Sequence, residues 1–189
     1  MRTTIDLSIE QDAVSALAGS PGYEAAFVAI QASTGKILAI VNTSQGSDLA
    51  LDGEQPPGST MKVVTSTALI EKGLNPQSPA TCPTTIDVDG EVFHNAGAEG
   101  YVPNLLQAFT VSCNTAFIGL TVDNLGWTSL HAAASLYRIG SDLQVGMPVF
   151  SGSVPVNDGQ TDFAASAIGQ ARVVMNPLDL AMVAAREVP

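Results

Sequence analysis

Ser59 and Lys62 stand three positions apart and carry a hydroxyl and an amine, the two groups that nucleophilic catalysis by a serine requires. If a helix begins at Ser59, one turn separates the two side chains, so the hydroxyl and the amine share a face. A helix start also offers free N–H groups and a positive dipole end, which favour a developing alkoxide. The amine accepts a proton only if burial or cationic neighbours lower its pKa. The pair predicts a serine nucleophile with a lysine base, although this spacing also occurs on ordinary helices.

A second group of polar side chains follows an apolar stretch at Ser112-Cys113-Asn114. A turn that points a hydroxyl and a carboxamide the same way could relay a proton to Lys62 and hydrogen-bond a substrate amide. The alternative is a helix cap, in which Ser112 or Asn114 satisfies the free N–H groups of the helix that follows. Both roles can coexist.

The element that must position Ser59 is a helix that starts at this residue. The preceding segment 44–58 is rich in Gly, Ser, Asp and Pro and predicts a surface loop. Apolar residues then recur at three- and four-residue spacing, at Met61, Val64, Ala68 and Leu69. Lys72-Gly73 ends the pattern with a basic last turn and a C-cap glycine. This stripe predicts a core-facing helix.

The remaining sequence predicts an α+β fold, with helices packed on a small antiparallel sheet. Two β-type runs, 25–32 and 36–42, flank the turn Ser33-Thr34-Gly35 and predict a hairpin. Short strands surround Asp89-Gly90. Helical patterns occur at 8–17, with Asp6 or Ser8 as its N-cap, and at 104–111, 115–125, 129–137, 162–168 and 177–186.

Composition excludes several classes of function. The chain has 189 residues, 46% of them hydrophobic, which suffices for one substantial core. A formal net charge of −11 repels nucleic acid and anionic lipid headgroups, so we expect no nucleic-acid partner. No apolar run has the length of a membrane span, and the N-terminus lacks a signal-peptide pattern. As given, the chain is expected to be soluble and untargeted.

The two cysteines and two histidines do not have the spacing of a metal site, so we expect no bound metal. Cys82 and Cys113 fit either a disulfide in an extracytoplasmic protein or two reduced, buried thiols. His94 and His131 are not expected to be catalytic. Trp127, the single tryptophan, is expected to anchor helix packing.

These motifs resemble those of the penicillin-binding proteins and serine β-lactamases, which carry Ser-x-x-Lys, Ser-x-Asn and Lys-Thr-Gly. The resemblance extends in order over nearly the whole chain, through residues 3–6, 34–39, 57–62, 112–117, 168–170 and 177–178. The phrases Pro-Gly-Ser-Thr-Met-Lys and Ser-Cys-Asn-Thr-Ala-Phe look most like the monofunctional, high-molecular-mass transpeptidases of actinobacteria.

The resemblance implies a β-lactamase-like or transpeptidase-like fold, an antiparallel sheet with an all-helical subdomain. Ser59 would attack the penultimate D-alanine carbonyl of a peptidoglycan stem peptide, and an acceptor amine would resolve the acyl-enzyme. Lys62 would be the base, Ser112 the proton relay and Asn114 a contact to the donor peptide's amide.

The same resemblance implies the partners and the location of the protein. It implies that β-lactam antibiotics acylate Ser59 and that no cofactor is needed. Stem peptides would be the substrate, with a glycosyltransferase or divisome proteins as partners of the full-length protein. That protein would work at the extracytoplasmic face of the bacterial plasma membrane.

Two departures from the family pattern bear on activity. No Lys-Thr-Gly or Lys-Ser-Gly occurs, although in the family this strand closes the site and supplies an oxyanion N–H. We therefore interpret residues 1–189 as a partial domain without its C-terminal strands, a fragment with little or no transpeptidase activity alone. Ala171 stands where the family usually has glycine after Gln170, which leaves the geometry of this loop open.

Two other functions remain alternatives. The missing Lys-Thr-Gly favours a noncatalytic module that binds peptidoglycan or a divisome partner. A β-lactamase or β-lactam sensor would need a deacylating water or a signalling tail, which nothing in the sequence marks.

Overall fold

The computed structural model describes residues 3–19, 22, 24–43, 46–97, 100–156 and 158–186. They fall into two compact units. The first comprises Met1–Gln55, Tyr137–Gly152 and Met175–Pro189, and the second comprises Pro56–Leu136 and Ser153–Val174. The interpretation of residues 1–189 as one partial domain stays a prediction.

Helices and antiparallel hairpins make up the described structure, which confirms the α+β prediction. The elements in chain order are α1 (Leu7–Leu17), β1 (Ala26–Gln31), β2 (Lys36–Asn42), α2 (Leu49–Asp52), α3 (Met61–Glu71), β3 (Thr85–Val88), β4 (Glu91–His94), α4 (Leu105–Thr110), α5 (Asn114–Asn124), α6 (Ser129–Leu136), α7 (Gln160–Ser166) and α8 (Pro177–Arg186). None of the helices in the described ranges has the length and apolar character needed to cross a bilayer.

In the first unit, α1 lies along strand β2. The Asp6 carboxylate caps the helix by accepting from the backbone N–H of Ser8 at 2.9 Å, and bonds from Ser8 lower the pKa of Asp6. The Glu10 carboxylate accepts from the backbone N–H of Ile40 at 3.0 Å. A side chain of α1 therefore satisfies a donor of strand β2, and the predicted helix and hairpin are confirmed.

The hairpin and α8 enclose an apolar cluster in the first unit. Its buried members come from α2, α8 and the segment between α6 and α7, and they are Ala50, Leu51, Leu143 and Leu178. The helix α2 lies within the segment 44–58 that was predicted as loop. The Asp48 side chain caps this single turn, a local signal that the density of glycine and proline in the segment obscured.

Asn176 joins three parts of the first unit through its buried carboxamide. Its Nδ2 donates to the carbonyl oxygen of Leu51 at 2.6 Å and to that of Phe150. Its Oδ1 accepts from the backbone N–H of Asp179 at 2.8 Å, and Asp179 Oδ2 accepts from the N–H of Asn176 at 3.0 Å. This reciprocal pair starts α8 in the manner of a capping box.

Asp179 should make the stability of the first unit depend on pH. The residue is fully buried, and burial raises the pKa of Asp179 from 3.8 to about 6. Between these values the folded chain binds the proton more tightly than the unfolded chain, so stability falls as pH rises through 6. The loss is at most about 3 kcal/mol. We expect Asp179→Asn to remove it while keeping the acceptor for the Asn176 N–H.

Urea denaturation at pH 4.5 and pH 7.5 measures this difference in the free energy of unfolding. The matched control is Asp142→Asn, since Asp142 is exposed in the same unit. Other carboxylates also titrate in this range, so the informative quantity is the change relative to the parent chain. An Asp179→Asn chain that keeps the parent's pH dependence would contradict this role for the buried carboxyl.

In the second unit, helix α3 presents the predicted stripe to the core. Met61, Val64 and Leu69 are fully buried, and Gly73 follows the helix at a φ of +98°. The turn Asp89-Gly90 joins β3 to β4, and its φ values of +52° at Asp89 and +87° at Gly90 are those of a two-residue hairpin. The predicted helix and the short strands around Asp89-Gly90 are confirmed.

Two local expectations for the second unit were wrong. Trp127 is 46% exposed rather than a packing anchor, because it lies in the turn before α6 and not on the buried face of a helix. The N-cap of α5 is Cys113, whose sulfur accepts from the backbone N–H of Ala116 at 3.2 Å. The capping expected of Ser112 or Asn114 is therefore carried out by the residue between them.

Candidate active site

Ser59 occupies a single 3₁₀ turn, Gly58–Thr60, that leads directly into α3. Its side chain is exposed, whereas Lys62, one turn later, is only 2% exposed. Lys62 Nζ donates to Ser59 Oγ at 3.0 Å. The helix start thus places a solvent-facing hydroxyl against a buried amine, as the spacing predicted.

Four oxygen atoms lie within 3.0 Å of the Lys62 amine. They are Ser59 Oγ at 3.0 Å, the Ser112 carbonyl oxygen at 2.7 Å, Ser112 Oγ at 2.9 Å and Asn114 Oδ1 at 2.6 Å. Lys62 Nζ also lies 5.7 Å from the centre of the Phe117 ring. The amine is therefore held from several sides at a fixed distance from the serine.

The chemical types of these four oxygens suit a lysine that exchanges a proton. The Ser112 carbonyl and Asn114 Oδ1 can only accept hydrogen bonds, whereas the two hydroxyls can accept or donate. A neutral amine has two N–H groups, enough for the two obligate acceptors, and one lone pair that can accept from a hydroxyl. An ammonium adds one N–H, which a hydroxyl oxygen can accept. The amine is therefore surrounded by oxygens that can accept from an ammonium and by hydroxyls that can also donate to a neutral amine.

Ser112 joins the Ser59–Lys62 pair through an unusual backbone conformation. Its φ is +56°, a left-handed value that costs a non-glycine residue roughly 1–2 kcal/mol. This conformation turns both the Ser112 carbonyl and the hydroxyl toward Lys62 Nζ. Ser112 Oγ also donates to Ser59 Oγ at 2.9 Å. The two hydroxyls and the amine form a closed triangle of hydrogen-bonded atoms.

A disulfide between Cys82 and Cys113 lies beside this turn. The bond resolves the open alternative between a disulfide and two reduced thiols. It spans 31 residues and attaches the start of α5 to the segment before β3. The middle residue of the Ser-Cys-Asn turn is thereby covalently fixed.

Asn114 uses both ends of its carboxamide within the site. Oδ1 accepts from Lys62 Nζ, and Nδ2 donates to the carbonyl oxygen of His94 at 3.1 Å. The structure therefore brings all four predicted site residues together. The assignment of Asn114 to a substrate amide stays a prediction, because the observed partners of its side chain belong to the protein.

Gly169 supports the turn that carries Ser59. Its carbonyl accepts from the backbone N–H of Gly58 at 3.0 Å, and its φ is +73°. A β-carbon at position 169 would lie 2.1 Å from the Gly58 carbonyl oxygen. The resemblance marked Ile168-Gly169-Gln170 without a role, and the structure shows backbone contact between Gly169 and the turn that carries Ser59.

Ala171 resolves the question about the loop after Gln170. Its φ is +56°, so the alanine adopts the left-handed conformation in which glycine is unstrained. This conformation costs an alanine roughly 1–2 kcal/mol.

The histidines lie outside the triangle of Ser59, Lys62 and Ser112. His131 Nδ1 lies 2.7 Å from the Val154 carbonyl oxygen, a bond between two segments of the second unit. His94 contributes its backbone carbonyl to Asn114. Among the residues that the structure describes, no group of histidines, cysteines and carboxylates could hold a metal ion.

Comparison with known proteins gives the family. The family model described as the penicillin binding protein transpeptidase domain matches residues 25–186. The chain belongs to the penicillin-binding protein transpeptidase family. The match covers the Ser-x-x-Lys and Ser-x-Asn residues and confirms the resemblance seen in the sequence.

Relatives of this penicillin-binding protein chain come from mycobacteria. The peptidoglycan D,D-transpeptidase PbpA of Mycolicibacterium smegmatis is 31% identical over 97% of this chain and 45% of its own length. The chain thus spans about half the length of the curated relatives it matches.

Solved structures show the same likeness. Penicillin-binding protein A from M. tuberculosis as an imipenem acyl-enzyme complex has a TM-score of 0.86 and 28% identity, over 97% of this chain and 50% of that one. Its penicillin G acyl-enzyme complex has a TM-score of 0.86 and 29% identity, with the same coverage.

Proposed function

We propose that this chain carries the acyl-enzyme chemistry of a peptidoglycan D,D-transpeptidase, with Ser59 as the nucleophile. The observation that supports the proposal is the triangle of Ser59 Oγ, Lys62 Nζ and Ser112 Oγ, in which each pair lies 2.9 to 3.0 Å apart. Hydrogen-bond contact between nucleophile, base and a third group is the signature of an activated serine.

In the acylation step, Ser59 Oγ attacks the penultimate D-alanine carbonyl of a stem peptide. The hydroxyl proton passes to Lys62 Nζ, either directly or through Ser112 Oγ, which contacts both atoms. Collapse of the tetrahedral intermediate breaks the peptide bond, and the proton returns to the leaving D-alanine amine. An acceptor amine from a neighbouring peptidoglycan strand then attacks the ester carbonyl and loses a proton. The ester bond breaks, and Ser59 Oγ leaves with a proton, which restores the hydroxyl.

β-Lactams are proposed to acylate the same serine. The related M. tuberculosis protein is described as an acyl-enzyme complex with imipenem and with penicillin G, which supports this chemistry. Asn114, held between Lys62 and the His94 carbonyl, is the proposed contact to the donor peptide's amide. On substrate binding, Asn114 Nδ2 would give up its hydrogen bond to the His94 carbonyl oxygen and donate to the substrate instead.

The test is to localise a fluorescent penicillin on the chain by peptide mass mapping. We expect one adduct on the peptide that contains Ser59 and none on Ser59→Ala. The sequence holds no Lys-Thr-Gly, the family's source of the second oxyanion N–H. Loss of one such donor slows catalysis by about 10²–10³-fold, so acylation should take hours rather than seconds.

The outcomes also separate the alternatives. Labelling of wild type and Ser59→Ala at equal rates, or no adduct after a day, would contradict the proposal and favour a noncatalytic module. Repeated hydrolysis of the penicillin, with the free enzyme recovered, would favour a β-lactamase. Acylation as fast as that of an intact transpeptidase domain would contradict the predicted effect of the missing motif.

We also propose that the protein works at the extracytoplasmic face of the bacterial plasma membrane. The Cys82–Cys113 disulfide supports this location, because such bonds persist in oxidising compartments. Alkylation of free thiols in intact cells, followed by mass analysis, tests it, and finding both thiols reduced would contradict it. A glycosyltransferase or divisome protein as partner stays a prediction.

A further inference from the structure

Asn95, the residue after β4, has a half-buried carboxamide that contacts the start of α5. Its Oδ1 accepts from the backbone N–H of Thr115 at 3.1 Å. Its Nδ2 donates to the Pro83 carbonyl oxygen at 2.9 Å and to Thr115 Oγ1 at 3.2 Å. Asn95 therefore satisfies a free N–H of the first turn of α5 from a different part of the chain, as a cap residue would.

The end of β4 also holds the residue before Thr115. The His94 carbonyl accepts from Asn114 Nδ2 at 3.1 Å, while the Asn95 side chain holds the N–H of Thr115. Asn114 Oδ1, at the opposite end of the same carboxamide, accepts from Lys62 Nζ at 2.6 Å. His94, the last residue of β4, and Asn95, the residue after it, thus contact two consecutive residues of α5, Asn114 and Thr115. Asn114 in turn contacts the catalytic amine.

This support matters because the turn before α5 is strained. Ser112 has a φ of +56°, and a non-glycine residue keeps such a value only where its surroundings over-determine it. The backbone N–H of Cys113 donates to the Ala108 carbonyl at 2.9 Å, which fixes the turn from α4. Asn95 fixes it from the α5 side. Without that bond, the turn has one less restraint against relaxing away from Lys62.

We propose that Asn95 is a positioning residue for the acylation reaction. It holds the first turn of α5 so that Ser112 and Asn114 face Lys62 Nζ, and it acts through them rather than on the substrate. The inference rests on the proposed function, in which Lys62 takes the proton of Ser59. It assigns a role to a residue outside the Ser-x-x-Lys and Ser-x-Asn motifs.

The first experiment compares acylation of Asn95→Ala with that of the parent chain. A displaced turn is expected to lower the first-order acylation constant at saturating penicillin by about 10- to 100-fold. The penicillin concentration at half-saturation should stay unchanged. Asn95→Asp keeps an acceptor for the Thr115 N–H at a helix N-terminus, where a carboxylate is favourable, and should lose about threefold.

Asn104→Ala is the matched control. Asn104 lies in the same unit, and its side chain accepts from the backbone N–H of Gln107 at 2.9 Å at the start of α4. Removing it should lower stability by a similar amount without displacing Asn114. Equal losses of acylation in Asn95→Ala and Asn104→Ala would overturn the proposal, as would an unchanged rate in Asn95→Ala.

A second measurement does not depend on acylation. The chain has three lysines, Lys36, Lys62 and Lys72, so the ¹³Cε resonance of Lys62 can be assigned by substitution. Asn95→Ala should shift this resonance, whereas Asn104→Ala should leave it in place. If the parent chain is not acylated, the proposed function fails, and the resonance still decides the inference. An unshifted Lys62 signal in Asn95→Ala would overturn it.

Discussion

Lys62→Met is expected to lower the rate of Ser59 acylation by about 10²–10⁴-fold, the usual contribution of a positioned general base. Methionine fills a similar volume but cannot accept the serine proton. The replacement also removes the donor that the Ser112 carbonyl and Asn114 Oδ1 share. Stopped-flow or gel-based labelling with a fluorescent penicillin measures the rate constant, and circular dichroism checks that the fold persists.

Lys72→Met is the matched control for this substitution. Lys72 ends the same helix, and its side chain is exposed. Its replacement changes the net charge by the same amount, so any effect of overall charge on penicillin binding appears in both variants. A Lys62→Met chain that is acylated as fast as Lys72→Met would show that Lys62 is not the base.

The elements of the site were predictable because their signals are local. The α3 stripe of Met61, Val64 and Leu69 follows helical periodicity, and Asp89-Gly90 has the residue types that a two-residue hairpin demands. Ser59 and Lys62 could be paired from spacing alone, since a helix fixes which side chains share a face.

Other features depend on contacts between distant parts of the chain. Residue types offered Ser112 only as one possible relay to Lys62, 50 residues away, and the family resemblance rather than periodicity assigned it that role. The disulfide stayed open at the level of sequence, because pairing needs the distance between two backbone positions. Asn95 gave no signal, since an isolated asparagine after a strand is typical of a loop.

The glycine at position 169 shows why some site residues become apparent only in three dimensions. Sequence marks it as part of a family landmark, yet the reason for a glycine there is the Gly58 backbone, more than 100 residues earlier in the chain. A positive φ alone would not require glycine, since Ala171 accepts φ of +56° two residues later. Glycine is required at position 169 because the Gly58 backbone leaves no space for a β-carbon.

Gly169→Ala is therefore expected to disturb both stability and reactivity. The new β-carbon would lie 2.1 Å from the Gly58 carbonyl oxygen and 2.7 Å from its nitrogen, and backbone atoms cannot rotate away as a side chain can. Overpacking costs about 1–3 kcal/mol, and a left-handed alanine adds roughly 1–2 kcal/mol. Since Gly58 precedes Ser59, we expect acylation to fall by about 10²-fold as well.

Gly100→Ala separates the steric cost from the conformational one. Gly100 lies in the same unit at a φ of +68°, close to the +73° of Gly169, but an added β-carbon there would meet no atom within 4 Å. Gly100→Ala should therefore lose only the roughly 1–2 kcal/mol of stability that the left-handed backbone costs, and its acylation rate should not change. Urea denaturation and penicillin labelling of both variants make the comparison. If the two lose equal stability and are acylated equally fast, contact between Gly169 and the Ser59 turn does not position the nucleophile.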